Sequence, residues 1–334
     1  MQALRSIQYL RALAAFSVAA FHAFQWARLD FDIGGAGVDI FFVISGFIMW
    51  RTTEGSDLSA MEFLRRRAVR IVPLYWLVTL ALVASALVWP TRFPDIDPQP
   101  GHIIASLAFV QHLNPDGQPF PVLTPGWTLN YEAAFYLLFA VVLLLPRANR
   151  LMALSFALVV VGTFGFFYPP AYEMLFNPLV LEFLAGVLLA RAMSAGLTPS
   201  RNGGWALLAI GLSWYGVMAA TRVEWDLWRP IFWGVPALLL VAGLTAVEAD
   251  GGLVDLPPLR VLGDASYSLY LLHPLIIGAL AVQMGTWIPW LFIPLGLTLA
   301  CLGGWLSWRL FERPLTQALK GPLLDAASGP HTAR

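Results

Sequence analysis

Nine side chains in this 334-residue sequence have types and spacings that could do chemistry. Arg11 and His22 stand eleven residues apart in an apolar run. On a helix that separation is three turns plus about 20°, and about 16 Å of rise, so the two share a face. Asp39 and Glu132 lie in two further apolar runs, Glu132 flanked by Trp127, Tyr131 and Tyr136. A carboxylate beside an imidazole fixes its tautomer and stabilises the imidazolium, the arrangement that activates a hydroxyl nucleophile. Ser266, Tyr270 and His273 share a helix face by i, i+4 and i+3 spacing, and could bind a polar substrate or donate to an oxyanion. Arg67 and Arg70, at i and i+3, present two guanidinium forks of the kind that bind phosphate bidentately.

Each feature also has a plainer reading. His22 can simply bond a neighbouring helix, Asp39 can serve a helix start, and Ser266 and His273 can be interhelical glue. The cluster of Arg65, Arg66, Arg67 and Arg70 can act in topology or on anionic lipid. Glu182 can hold helices together. Ser45 and Ser266 are conceivable nucleophiles but lack an activating signature, so direct transfer is the simpler chemistry.

The elements that must position these groups are transmembrane helices. The chain is 58% hydrophobic and 12% charged, with mean hydropathy +0.70, which places it among membrane proteins. A helix crosses the hydrocarbon in about 20 apolar residues, and lipid tolerates only helices or closed barrels. The apolar runs predict an all-α polytopic protein of ten spans: 7–26, 34–50, 71–89, 126–145, 151–168, 177–193, 204–220, 230–247, 261–282 and 289–310. A short stretch at 102–113 suits a re-entrant or interfacial helix. With both termini cytoplasmic, fifteen Lys and Arg fall inside and four outside, Arg28, Arg92, Arg222 and Arg229. An eleventh crossing would put Arg147, Arg150, Arg191 and Arg201 outside. The first run, carrying His22 and leading straight into further spans, reads as a helix of the domain and not as a cleaved leader. Residues 1–320 are expected to form one integral-membrane domain and 321–334 a flexible cytoplasmic tail.

Composition excludes other classes. Twenty basic residues balance twenty acidic ones, so no net positive charge favours nucleic acid. The single cysteine, Cys301, rules out an internal disulfide, and no metal-ligand spacing occurs. Ionisable groups at membrane depth cost roughly 2.5–3.5 kcal/mol each on insertion scales, which makes every one a functional candidate. A transporter using the same groups as relay and binding site is the competing reading, although no matching halves are visible.

Six stretches in order resemble the acyltransferase 3 family of integral-membrane O-acyltransferases, and most closely its exopolysaccharide-production branch. They are Ile7 to Ala15 with the Arg11-x10-His22 pair, Gly34 to Phe47, Arg67-Ala68-Val69-Arg70 followed by Ile71 to Trp76, Trp127 to Glu132 with Phe135-Tyr136, Ser266 to His273, and Phe311-Glu312-Arg313-Pro314. The resemblance implies a multi-pass enzyme of the bacterial inner membrane that moves an acyl group, acetyl by default, from cytoplasmic acyl-CoA to a hydroxyl of a surface polysaccharide or its precursor. On that reading His22 is the general base, oriented by Glu132 or Asp39. Arg67 and Arg70 hold donor phosphates and Arg11 lines the donor path. Tyr270, His273, Ser266 and Trp127 are candidates for acceptor binding or the oxyanion. The partners are then acyl-CoA, a carbohydrate acceptor and the bilayer, with no metal and no nucleic acid. The pantetheine arm is expected to thread a channel between helices. The soluble esterase-like domain of some relatives does not appear in this sequence, so the membrane part or a partner is expected to handle the acceptor.

Overall fold

A computed structural model describes residues 4–93, 96–167, 176–221 and 228–319. Among them are twelve α-helices and no strand: α1 (Arg5–Trp26), α2 (Gly37–Thr53), α3 (Ala60–Val88), α4 (Pro100–Leu107), α5 (Gly126–Leu143), α6 (Arg147–Phe167), α7 (Val180–Ser194), α8 (Arg201–Thr221), α9 (Val235–Ala249), α10 (Pro257–Asp264), α11 (Ser266–Met284) and α12 (Pro289–Ser307). Among the described residues nine helices are long and apolar enough to cross a membrane. The expected tenth, 177–193, corresponds to α7, whose 15 residues make about 22 Å of helix. The short stretch near 102–113 is α4, eight residues long and starting two residues earlier. The expected tail 321–334 lies outside the described residues.

Three boundaries differ from expectation for local reasons. The third helix begins at Ala60, not near 71, because Ser59 caps it by accepting from the Glu62 amide at 3.2 Å and Glu62 then pairs with Arg66 at 2.7 Å. The four arginines therefore ride on the same helix as the membrane span. The run 261–282 is broken at Ala265, which ends α10 and starts α11. The last helix continues past α12 through a π-helical turn, Trp308–Glu312, to residue 319. A π-turn inserts one extra residue per turn and re-aims the side chains beyond it.

Helix α2 is the centre of the molecule, buried over 78% of its span, whereas α6 and α8 are buried over 17% and turn Met152, Phe156, Ile210 and Leu212 outward to lipid. Small residues set the closest approaches, as they must where lipid is as apolar as leucine. A Cβ on Gly46 of α2 would overlap the Phe183 carbonyl of α7, and one on Gly186 of α7 would overlap the Val43 carbonyl of α2. Ala15, Ala19 and Ala23 of α1, all fully buried, make the corresponding flat seam with Leu269 and Ile277 of α11 and with Phe292 and Ala300 of α12. That seam lays α1 along α11, and this pairing builds the site.

Candidate active site

Helices α1 and α11 meet at two polar levels. At one, the Arg11 Nη2 donates to the Ser266 hydroxyl at 2.8 Å. At the other, the His22 and His273 rings meet edge to face with centroids 5.0 Å apart. The shared face expected for Arg11 and His22 is therefore turned toward α11, and the expected face of Ser266, Tyr270 and His273 is turned inward too. The Tyr270 hydroxyl shares a 2.9 Å hydrogen bond with Thr128 of α5, and its ring lies against Phe41 of α2.

Both imidazoles are held alike. His22 Nδ1 lies 3.1 Å from the Val18 carbonyl and His273 Nδ1 3.2 Å from the Leu269 carbonyl, each four residues back on its own helix. A carbonyl oxygen only accepts, so Nδ1 carries the proton in each ring and Nε2 keeps its lone pair. His273 is fully buried and its Nε2 has no partner among the described residues, whereas His22 is half-buried.

Neither carboxylate orients His22, contrary to the pairing expected from sequence; the Val18 carbonyl occupies that position. Glu132 instead accepts the Ser45 hydroxyl at 2.7 Å and the Tyr136 hydroxyl on the same oxygen. Tyr136 lies within electrostatic range of the Arg67 guanidinium, which stands over the Phe63 ring. Glu132 is thus coupled to the arginines, lying within electrostatic range of both Arg67 and Arg11. Asp39 is farther removed in role. Fully buried, it takes Arg229 as a two-pronged ion pair, Nη2 at 2.8 Å and Nε at 3.0 Å, while Arg229 also stacks on Trp233. A fully buried carboxylate lacking a cation would be costly, and that demand outranks a histidine's. Glu182, equally buried, lies beside this pair.

Arg67 and Arg70 are half-buried where Arg65 and Arg66 are exposed, so the i, i+3 pair faces the protein. Arg70 lines a cavity of about 370 Å³ between α3 and the segment 310–318, with Glu312 on the opposite wall. The π-turn aims Glu312 inward, where it accepts from Ser268 at 2.6 Å and lies within electrostatic range of Arg70 and Arg11. Trp127, half-buried, packs edge-on against Tyr131 near the start of α5. A second cleft of about 630 Å³ opens at the other end of α1, lined by Gln25, Trp26 and Arg28. The two cavities share no lining residue, and the Arg11–Ser266 hydrogen bond and the Tyr270–His273 ring contact lie along α1 and α11.

Thr128 and Tyr136 both lie four residues from Glu132 on its own face, a spacing that marks them as partners of the site without naming what they bond. Nothing in the sequence links Asp39 with Arg229, 190 residues away.

A family model described as an acyltransferase domain matches residues 4–309. The chain belongs to the acyltransferase 3 family. It is accordingly an integral-membrane enzyme of acyl transfer. It is 39% identical over 308 residues to the exopolysaccharide production protein ExoZ of Rhizobium meliloti strain 1021, covering 88% of this chain and 93% of that one. It is 28% identical to the putative peptidoglycan O-acetyltransferase YrhL of Bacillus subtilis strain 168, over 92% of this chain but 54% of that longer protein. It is 29% identical to the acyltransferase MdmB of Streptomyces mycarofaciens, over 82% of this chain and 79% of that protein. No solved structure matches.

Proposed function

We propose that this enzyme transfers an acyl group, acetyl by default, from cytoplasmic acyl-CoA to a hydroxyl of a cell-surface polysaccharide or its precursor, in the bacterial inner membrane, with residues 1–320 acting as one unit. The observation that carries the reading is the polar file along α1 and α11, with arginines at one end and a base with a free lone pair toward the other. His22 Nε2 takes the proton of the acceptor hydroxyl as its oxygen attacks the thioester carbonyl. The tetrahedral intermediate collapses by breaking the carbon–sulfur bond, and the coenzyme A thiolate leaves with the proton from His22. The products are an O-acyl ester and free coenzyme A. Tyr270 or His273 donates to the oxyanion in a dry site, where such a donor is worth most. For His273 that requires the proton to sit on Nε2.

Arg67 and Arg70 hold the donor phosphates and Glu132, through Tyr136, holds Arg67. Ser266 sets the direction of Arg11, and Trp127 lines the approach of the acceptor. Asp39 with Arg229 keeps the helices around α2 in register.

The test is release of free coenzyme A from acetyl-CoA by the protein in nanodiscs when acceptor is supplied. His22→Ala should abolish acceptor-dependent release while the melting midpoint stays near that of the wild type. Full activity in that variant would remove His22 from the base role.

A second course is favoured by one contact, the 2.7 Å hydrogen bond from Ser45 to Glu132. A serine bonded to a carboxylate can be acylated first and then pass the group on, dividing the journey in two. Incubation with acetyl-CoA alone, followed by intact mass measurement, should then show one added acyl group that is absent in Ser45→Ala; an unmodified mass at every time point favours direct transfer.

A further inference from the structure

We infer that the cleft at the end of α1 and α11 away from Arg11 is a carbohydrate-binding subsite that receives the glycan acceptor before its hydroxyl meets His22. The inference rests on the proposed acyl transfer to a sugar and names where that sugar docks. The cleft, about 630 Å³, is lined by Gln25, Trp26, Arg28, Ala281, Gly285, Thr286 and Trp287. That volume lies in the range that accommodates small-molecule ligands.

Its position follows from helix geometry. Gln25 and Trp26 come three and four residues after His22, on the same face and about 5 Å farther along the axis. Helix α11, which holds His273 against His22, still meets α1 at this level, since a Cβ on Gly278 would touch the Trp26 indole at 3.5 Å. A chain seated in the cleft thus lies one turn from the free imidazole nitrogen.

The lining has the chemistry of sugar recognition. An aromatic face is electron-rich, and the C–H edge of a pyranose is its positive complement. Two indoles supply such faces, while the Gln25 amide, the Arg28 guanidinium and the Thr286 hydroxyl supply donors and acceptors for ring hydroxyls. Tryptophans at this depth commonly anchor a protein in the headgroup layer. Trp290 suits that role, exposed over 78% of its surface at the start of α12. Trp287 is arranged otherwise. Gly285 adopts φ +70°, and a Cβ there would overlap the Trp287 indole nitrogen, so the ring folds back over the glycine. It is nonetheless 89% exposed, leaving an open platform at the cleft. Arg28 sits in the left-handed region at φ 58° where α1 ends, the Leu29 amide donating back to the Phe24 carbonyl at 2.9 Å, so the end of the helix sets the position of Arg28 beside the cleft.

The experiment uses the full-length protein in phosphatidylcholine nanodiscs. The probe is an end-labelled oligosaccharide made from the host's own surface polysaccharide by mild acid fragmentation and alkaline removal of its esters. Equilibrium dialysis should show saturable binding, weakened about tenfold or more by Trp287→Ala and by Gln25→Ala and largely restored in Trp287→Phe. Both substituted residues are exposed, so elution as a single species and an unchanged melting midpoint check the fold. His22→Ala should bind the probe like the wild type while losing transfer, which separates this site from the base assignment. Unchanged affinity in both cleft variants, or no binding to the wild type, overturns the inference even if acyl transfer is demonstrated.

Discussion

At the scale of single residues, the site divides its two carboxylates between jobs that neither position nor type reveals. Glu132 and Asp39 occupy similar depths, and either could orient a histidine. What separates them is their neighbours: Glu132 accepts two hydroxyls, from Ser45 and Tyr136, and Asp39 accepts a guanidinium. Glu132→Gln should therefore act on the donor end. We expect the donor KM to rise about tenfold, some 1.4 kcal/mol, with kcat less affected, measured as coenzyme A release against acetyl-CoA concentration. A collapse of kcat at unchanged donor KM would return Glu132 to the reacting centre. The histidines were legible as candidates because an imidazole in an apolar helix is rare. Their tautomers were not, since these follow from carbonyls reached only once each side chain has a rotamer.

At the scale of elements, α4 and the loop after it form a separate polar unit. His102 Nδ1 lies 2.7 Å from His112 Nε2, and His112 Nδ1 lies 2.8 Å from the Val110 carbonyl. The carbonyl fixes the proton on His112 Nδ1, so His102 is the donor between the rings. Burial, and then the neighbouring His112, push the His102 pKa below the ordinary histidine value, with Asp97 opposing them. The folded state then binds fewer protons than the unfolded chain as pH falls through the ordinary value near 6.5. Stability should be flat above about pH 7 and decline below about 6.5, and melting midpoints across that range check it. The His102→Gln variant should flatten the decline, and an unaltered slope would point to other groups. Helix boundaries at α3, α10 and α12 were misjudged from sequence for one reason: hydropathy marks where lipid begins, whereas a cap, a broken turn or a π-turn marks where hydrogen bonding changes.

At the scale of the whole molecule, the arginine asymmetry predicts the orientation of the bundle. Among the described residues nine helices meet the length of a span, and α7, at 15 residues, stands where the sequence predicts a tenth. Its seat against the buried face of α2, through Gly46 and Gly186, gives it protein neighbours in place of lipid, so the hydrocarbon thickness constrains it less. Ten crossings with the arginine bias facing inward predict both termini in the cytoplasm. A fluorescent protein fused after Arg334 should therefore glow, and alkaline phosphatase at the same point should stay inactive; the reverse pattern would mean an odd number of crossings. In the sequence by itself the membrane location, the helical class, the approximate spans and the family's ordered motifs were already determined. Hydropathy, charge bias and motif order are properties of a linear string, and so can be read from one. Tertiary structure alone decided which carboxylate meets which cation, that a carbonyl and not an acid orients His22, and that a cleft forms beyond it. These depend on contacts between residues up to some 256 positions apart, such as Gln8 with Asp264, whose identities carry no mark of their partners until the helices pack.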